Sequence, residues 1–234
     1  MQASSRLGAP ATRPVVVCAD DYGLAPGVSE AIAALVATGR LSATSCMSAL
    51  PDWRRAARHL RAVTAGAPAD VGLHLTLTDQ PPLSAAARRA WGERLPPLGR
   101  LLAAALARRL PAQAVADEIR AQLDAFEDAW GDAPDHVDGH QHVQQFAGIR
   151  QPLVQLLARR YGARQPWLRI SRAPAGQRTL KSRVIAGLGA NALETIAASA
   201  HLPCAPALSG IYDFTGGEAA YAQHMARWLA ASPA

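Results

Sequence analysis

The chain has 234 residues, a mass of 24.6 kDa and a hydrophobic half, enough for one α/β domain with a buried core. Aromatics at 5% and charged residues at 18% exclude a disordered chain and a long coiled coil, and no apolar run reaches the roughly 18 residues that span a bilayer. The net charge of +6 comes from 24 Lys plus Arg against 18 Asp plus Glu. Lysine occurs only at Lys181, many arginines fall on expected helix faces (Arg54, Arg55, Arg58, Arg61, Arg108, Arg109), and no basic patch interleaved with aromatics is present. No nucleic-acid partner is therefore expected.

The first residues, MQASSRLGAPATRP, hold two arginines and no apolar stretch. The expectation is a loose, disordered tail over 1–13, no secretory leader, and a cytoplasmic chain. The three cysteines, Cys18, Cys46 and Cys204, form no C-x-x-C, so neither a disulfide framework nor a thiolate zinc site is expected. Cys18 and Cys46, inside short apolar runs, read as small buried hydrophobes.

Val15–Ala19 is a continuous apolar run that reads as a strand buried on both faces. It stops at Asp20-Asp21-Tyr22-Gly23. A helix follows from about 27 to 38, with Gly39 placed to end it. Ser42–Ser48 reads as a second strand, 51–63 as a helix, and the alternating DVGLHLTLT of 70–78 as a third strand. Residues 79–98 are Pro-rich and read as a long irregular loop. Helices are expected over 98–109 and 111–130, the second periodic through Val115, Ile119, Leu123, Phe126 and Trp130. Then come a fourth strand over 135–141, a helix over 149–161, a short strand over 166–170, a helix over 179–200, a strand near 206–212 and a last helix over 217–231. Strands alternating with helices predict parallel βαβ units in a single domain over 14–234, either an open sheet or a barrel.

Three polar clusters lie on or at the ends of expected strands: Asp20-Asp21, His74 in VGLHL, and His136-Val137-Asp138-Gly139-His140-Gln141-His142. In parallel α/β folds the carboxyl ends of the strands share one face, so the clusters can converge. Adjacent carboxylates on an extended chain point in opposite directions, one toward a metal and the other toward a water or substrate. The alternative is an Asx turn or helix cap before Pro26. His74 alone suits a satisfied core histidine. His136, Asp138, His140 and His142, spaced by two, share one face of a strand and cannot face an apolar core cheaply. They suit the polar mouth of a barrel or a metal site, the alternative being a solvated edge strand. Asp138 is placed to orient a ligating imidazole from behind. Two imidazoles and one carboxylate leave open positions on a divalent ion, and a spare carboxylate can take a proton from water. That is equipment for metal-assisted amide or ester hydrolysis.

ADDYGLAPGV, GLHLTLT and HVDGHQHV, in this order and spacing, resemble the YdjC-like carbohydrate deacetylases (the ChbG/HpnK family) over about residues 14–150. The DGHQHV form is most similar to the hopanoid-associated branch. The resemblance implies a (β/α) barrel-like fold of the glycoside hydrolase/deacetylase type and metal-dependent removal of an N-acetyl group from an amino sugar or glycolipid. It also implies one divalent ion, magnesium or zinc, held by Asp21, His74 and His140. Asp20 would be the general base, and His142 would lie near the substrate or behind the ligands. The sequence departs from the family in two places. Gln144 stands where the third motif often continues as H-x-H-x-H, and the chain ends at ARWLAASPA, about where a strand with a Cys-His-Pro motif is expected. Neither Cys204 nor His224 sits in such a motif. The expectation is a barrel incomplete at its C-terminal side, with an open edge, and a slow or inactive enzyme.

Competing readings are a non-catalytic remnant that binds metal or sugar, a non-haem Fe(II) oxygenase built on the same two-His-one-carboxylate set, and a nucleic-acid binder resting on charge alone. Arg169, in WLRIS at a strand end, reads as a surface ion-pair partner or a substrate contact. The oligomeric state is left open.

Overall fold

The computed structural model describes residues 15–213 and 215–230; the expected tail over 1–13 lies outside them. The strands are β1 (Cys18–Tyr22), β2 (Ala43–Cys46), β3 (Asp70–Leu75), β4 (His136–Gly139), β5 (Trp167–Arg169) and β6 (Cys204–Ala205). All neighbours pair in parallel, in the order β1-β2-β3-β4-β5-β6. Each connection carries at least one helix. These are α1 (Pro26–Ala37), α2 (Trp53–Thr64), α3 (Ala85–Trp91), α4 (Leu98–Leu106), α5 (Ala112–Trp130), α6 (Arg150–Tyr161), α7 (Leu180–Gly187) and α8 (Ala190–Ser199), with α9 (Gly217–Ala230) after β6. Sequential order with helical crossovers is the pattern of a (β/α) barrel. Here it is a partial barrel, because among the described residues β1 and β6 are left as the sheet edges. Among those residues no helix is long and apolar enough to cross a membrane.

The pleat divides each strand between two jobs. Val71, Leu73 and Leu75 of β3, Val137 of β4 and Leu168 of β5 are fully buried against helix residues such as Ile119, Leu123, Phe126 and Leu153. The intervening residues, Gly72, His74, His136, Asp138, Trp167 and Arg169, form the other side of the sheet, and the functional cluster is built there. Helix α5 buries Val115, Ile119, Leu123 and Phe126 of the periodic face read from its sequence, with Trp130 half-buried at its end. It also carries two buried polar residues that tie down the chain after β3. Gln122 Oε1 accepts from Thr76 N at 2.9 Å, its Nε2 donates to Thr76 O at 2.6 Å, and the Glu118 carboxylate accepts from Leu83 N and Ser84 N at 3.0 and 2.8 Å.

Several expectations are corrected. Val15 and Val16 are about half exposed, because β1 begins at Cys18 and is an edge strand with a neighbour on one side only. The 79–98 segment is not wholly irregular: Ser84 caps α3 by accepting from Ala87 N at 3.1 Å. The helix expected over 179–200 is two helices. They break at Gly189, whose φ is +138° and where a Cβ would sit 2.2 Å from the Gln145 carbonyl oxygen. The strand expected near 206–212 is absent; pairing is confined to Cys204–Ala205. The fourth strand stops at Gly139. Residues His140–Gln145 form a 3-10 segment in which Gln141 and His142 have left-handed φ values of 54° and 62°. Strand alternation therefore does not carry His140 and His142, and the four-residue face expected from His136 to His142 does not exist. Cys46 is buried as expected, whereas Cys18 is only partly buried.

Candidate metal centre

The site begins with a backbone irregularity. The β1–β2 register slips between Ala19 and Tyr22, and Asp21 takes φ +68°, a conformation that Asp tolerates better than most residues. The slip removes the opposite-facing arrangement expected for Asp20 and Asp21. Both carboxylates reach residues of the same cluster.

Asp21 Oδ1 lies 2.9 Å from His140 Nδ1 and 3.2 Å from His74 Nε2. The two imidazole rings meet edge to face, 5.4 Å between centroids. His140 reaches this point because the chain turns out of β4 at Gly139, and His74 reaches it from the pleat of β3. The donor atoms of Asp21, His74 and His140 lie within 4.8 Å of one another. This donor set, two imidazole nitrogens and one carboxylate converging from three segments, fits a divalent first-row ion or magnesium.

Behind the ligands lies a second tier. His74 Nδ1 donates to Asp138 Oδ1 at 2.7 Å, which aims Nε2 at Asp21 and His140, the carboxylate–histidine arrangement common at metal sites. Asp138 is fully buried, and its Oδ2 accepts from Ser45 Oγ at 2.7 Å and pairs with Arg169 Nη1 at 2.6 Å. Ser45 has one hydroxyl proton and gives it to Asp138, so its 2.9 Å contact with His136 Nε2 is donated by the imidazole. His136 is then the Nε2–H tautomer. Its ring stacks on Trp167 at 4.3 Å and occupies the space left by Gly72, where a Cβ would stand 2.3 Å from Nε2. Arg169 Nη1 also donates to both oxygens of Asp20, at 2.8 and 2.7 Å. The Asp20 side chain remains 39% exposed, open to solvent. His142 Nδ1 contacts Ser171 Oγ at 3.0 Å, and Gln144 Nε2 donates to Ser171 Oγ and to the Arg169 carbonyl. Gln144 thus ties the 3-10 segment to the end of β5.

The electrostatics follow from burial and charge. Burial pushes the Asp21 carboxyl up, but hydrogen bonds from His140 and His74 outweigh it and hold the group well below the usual carboxylate range. Burial disfavours the His74 cation, yet the Asp138 charge and the hydrogen bonds to Asp138 and Asp21 raise its pKa to about 10. Without a metal, His74 is an imidazolium between two carboxylates, and an ion taking Nε2 displaces a proton. Asp138 is pushed up by burial and more strongly down by Arg169 and His74. His136 and His142 are each lowered to about 4, chiefly by burial, and are neutral at pH 7.

A profile of the YdjC-like protein family matches residues 14–234. The chain belongs to the YdjC-like family. A human carbohydrate deacetylase is 32% identical over 168 residues, covering 69% of this chain and 50% of that protein. A chitooligosaccharide deacetylase of Klebsiella pneumoniae (strain 342) is 34% identical over 166 residues, covering 70% of this chain and 62% of that protein. The matched stretch thus spans half to about three-fifths of these curated relatives. Among solved structures, a candidate cellobiose-phosphate cleavage protein of Enterococcus faecalis V583 superposes with a TM-score of 0.63 at 19% identity, covering 92% of this chain and 75% of that one. At that identity the likeness is one of fold.

The structure brings Asp21, His74, Asp138 and His140 into one contacting cluster, joins Asp20 to it through Arg169, and sets His142 on its flank through Ser171. Sequence reasoning missed Ser45, which no pattern marks, and the role of His136, which lies behind Asp138 and not among the ligands. It gave Arg169 as an ion-pair partner, which it is, but placed the pair on the surface. That residue is 6% exposed and pairs inside the site. Its one sequence signal was its place at the carboxyl end of a strand.

Proposed function

We propose that this YdjC-like chain is a metal-dependent hydrolase that removes the N-acetyl group from an amino sugar, free or in a glycoconjugate. The single observation that carries this reading is the convergence of Asp21, His74 and His140 with a second carboxylate, Asp20, open beside them. A divalent ion at these ligands supplies a Lewis acid for a carbonyl oxygen and acidity for a coordinated water. Asp21, His74 and His140 hold the ion. Asp138 fixes the His74 ring and its tautomer. Asp20, held at both oxygens by Arg169, accepts the proton from the attacking water. Asp138 is unsuited to that role because it is buried away from water and both its oxygens are already engaged, by His74 on one side and by Ser45 and Arg169 on the other. The neutral His142 ring borders the position of the sugar. The names of the curated relatives support a carbohydrate amide as substrate, and the DGHQHV form of the third motif supports a glycolipid of the hopanoid-associated branch.

The test is acetate release from chitooligosaccharides and from an N-acetylglucosaminyl lipid, with magnesium or zinc. Acetate release dependent on the added metal is expected. Asp20→Asn is expected to keep metal affinity and lose at least about 100-fold in kcat, the scale of a lost general base. Metal binding with no acetate release on any N-acetylated sugar would instead identify a metal- or sugar-binding protein without turnover. Near-normal turnover of Asp20→Asn would remove Asp20 from the base role.

A further inference from the structure

Beside the candidate centre lies a second group of donors. Asp20, His74 and Asp138 also bring ligand atoms within 4.8 Å of one another. His74 is already committed, Nε2 toward the first ion and Nδ1–H to Asp138, so what this group offers a second cation is the pair of carboxylates, and paired metals at carboxylate-rich sites sit about 3.5–4 Å apart in many hydrolases. In this chain a cation of the protein's own stands between the carboxylates. Arg169 Nη1 is 2.8 and 2.7 Å from the two oxygens of Asp20 and 2.6 Å from Asp138 Oδ2. The guanidinium reaches this place from β5, one step beyond the register pair Val137 and Leu168, so the strand pairing itself sets it beside Asp138.

The charges balance only with Arg169 included. Asp20, Asp21 and Asp138 bring three negative charges. One divalent ion and one guanidinium bring three positive charges, with His74 and His140 neutral as ligands. Removing the guanidinium leaves Asp20 and Asp138 facing each other in a site where Asp138 has no access to water, and an unpaired buried charge is costly.

We propose that Arg169 fills the second cation position of the site and thereby limits the centre to one divalent ion. This rests on the reading of Asp21, His74 and His140 as the metal ligands. It gives Arg169 a positioning role: with the guanidinium in place Asp20 is paired but not ligated, and stays available to accept a proton.

The experiment counts metal. Wild type, Arg169→Met and the double variant Arg169→Met with Asp20→Asn are stripped with chelator and dialysed against zinc. Bound ion per chain is then measured by inductively coupled plasma mass spectrometry, and affinity by calorimetry. One ion is expected in the wild type, two in Arg169→Met, and one again in the double variant, which lacks the second carboxylate charge. Arg169→Gln repeats the test with a polar replacement. If both single variants are unfolded by circular dichroism without metal, recovery of the fold on adding zinc supports the role and no recovery contradicts it. One ion at unchanged affinity in Arg169→Met overturns the inference and leaves the metal-centre reading standing. No ion in the wild type overturns the metal-centre reading and this inference with it.

Discussion

The two sides of strand β3 behave as different materials. Val71, Leu73 and Leu75 are wholly buried among aliphatic and aromatic side chains of the helical layer. Gly72 and His74, alternating with them, belong to a buried polar lattice that runs from His136 through Ser45, Asp138 and His74 to Asp21. Burial is nearly the same on both sides. What differs is how burial is compensated: by removal of apolar surface from water on one side, and by hydrogen bonding and charge pairing on the other, where His136 Nδ1 is left without a partner among the described residues. The lesson is that the apolar core and the candidate metal centre are separated at single-residue spacing. A change on the helical side is expected to act on the folding equilibrium alone, and a change on the other side on the proposed ion as well.

The largest expected effect tests the helical side. Leu73→Ala deletes a fully buried side chain from the core and is expected to cost about 2–5 kcal/mol of stability. Urea denaturation measures this. The molecules that remain folded at low urea are expected to bind zinc with wild-type affinity. A large loss of affinity in that folded population would show that the two sides are coupled.

Asp138→Asn tests the polar side. It keeps the volume and removes the charge that orients His74, and a loss of about 10–100-fold in metal affinity is expected, read by calorimetry. Unchanged affinity would mean that the His74 ring is held by packing alone.

The smallest effect comes from Gly72→Ala, on the boundary. The added methyl would stand 2.3 Å from His136 Nε2, so the ring must shift off Ser45 and Trp167. A cost of about 1–3 kcal/mol is expected for such overpacking, with a metal affinity lowered less than in Asp138→Asn. A neutral result on both readouts would show that the ring has room to move.

Much of this division was legible in the sequence. The alternation in DVGLHL marks both sides of β3, and the order of strands and helices predicts the parallel sheet. The residue types of the candidate centre were legible too, because Asp20-Asp21, His74 and the 136–142 cluster stand at strand ends, where polar groups have no structural need to be. What was not legible depends on backbone geometry. A period of two assumes an extended chain, and Asp21, Gln141 and His142 are left-handed, so the facing of Asp20 against Asp21 and of His140 and His142 was misread. Arg169 was misread for a different reason. Whether an arginine at a strand end is solvated or paired depends on which carboxylates the neighbouring strands place beside it, and that is a property of register, not of its own segment.

The central claim is that Asp21, His74 and His140 hold one cation between them. Zinc-soaked crystals with anomalous data at the zinc edge test it most directly. The account predicts one strong peak within about 2.0–2.2 Å of an Asp21 carboxylate oxygen, His74 Nε2 and a His140 ring nitrogen, with His74 Nδ1 still on Asp138. A peak elsewhere in the molecule with these three side chains unliganded would contradict it.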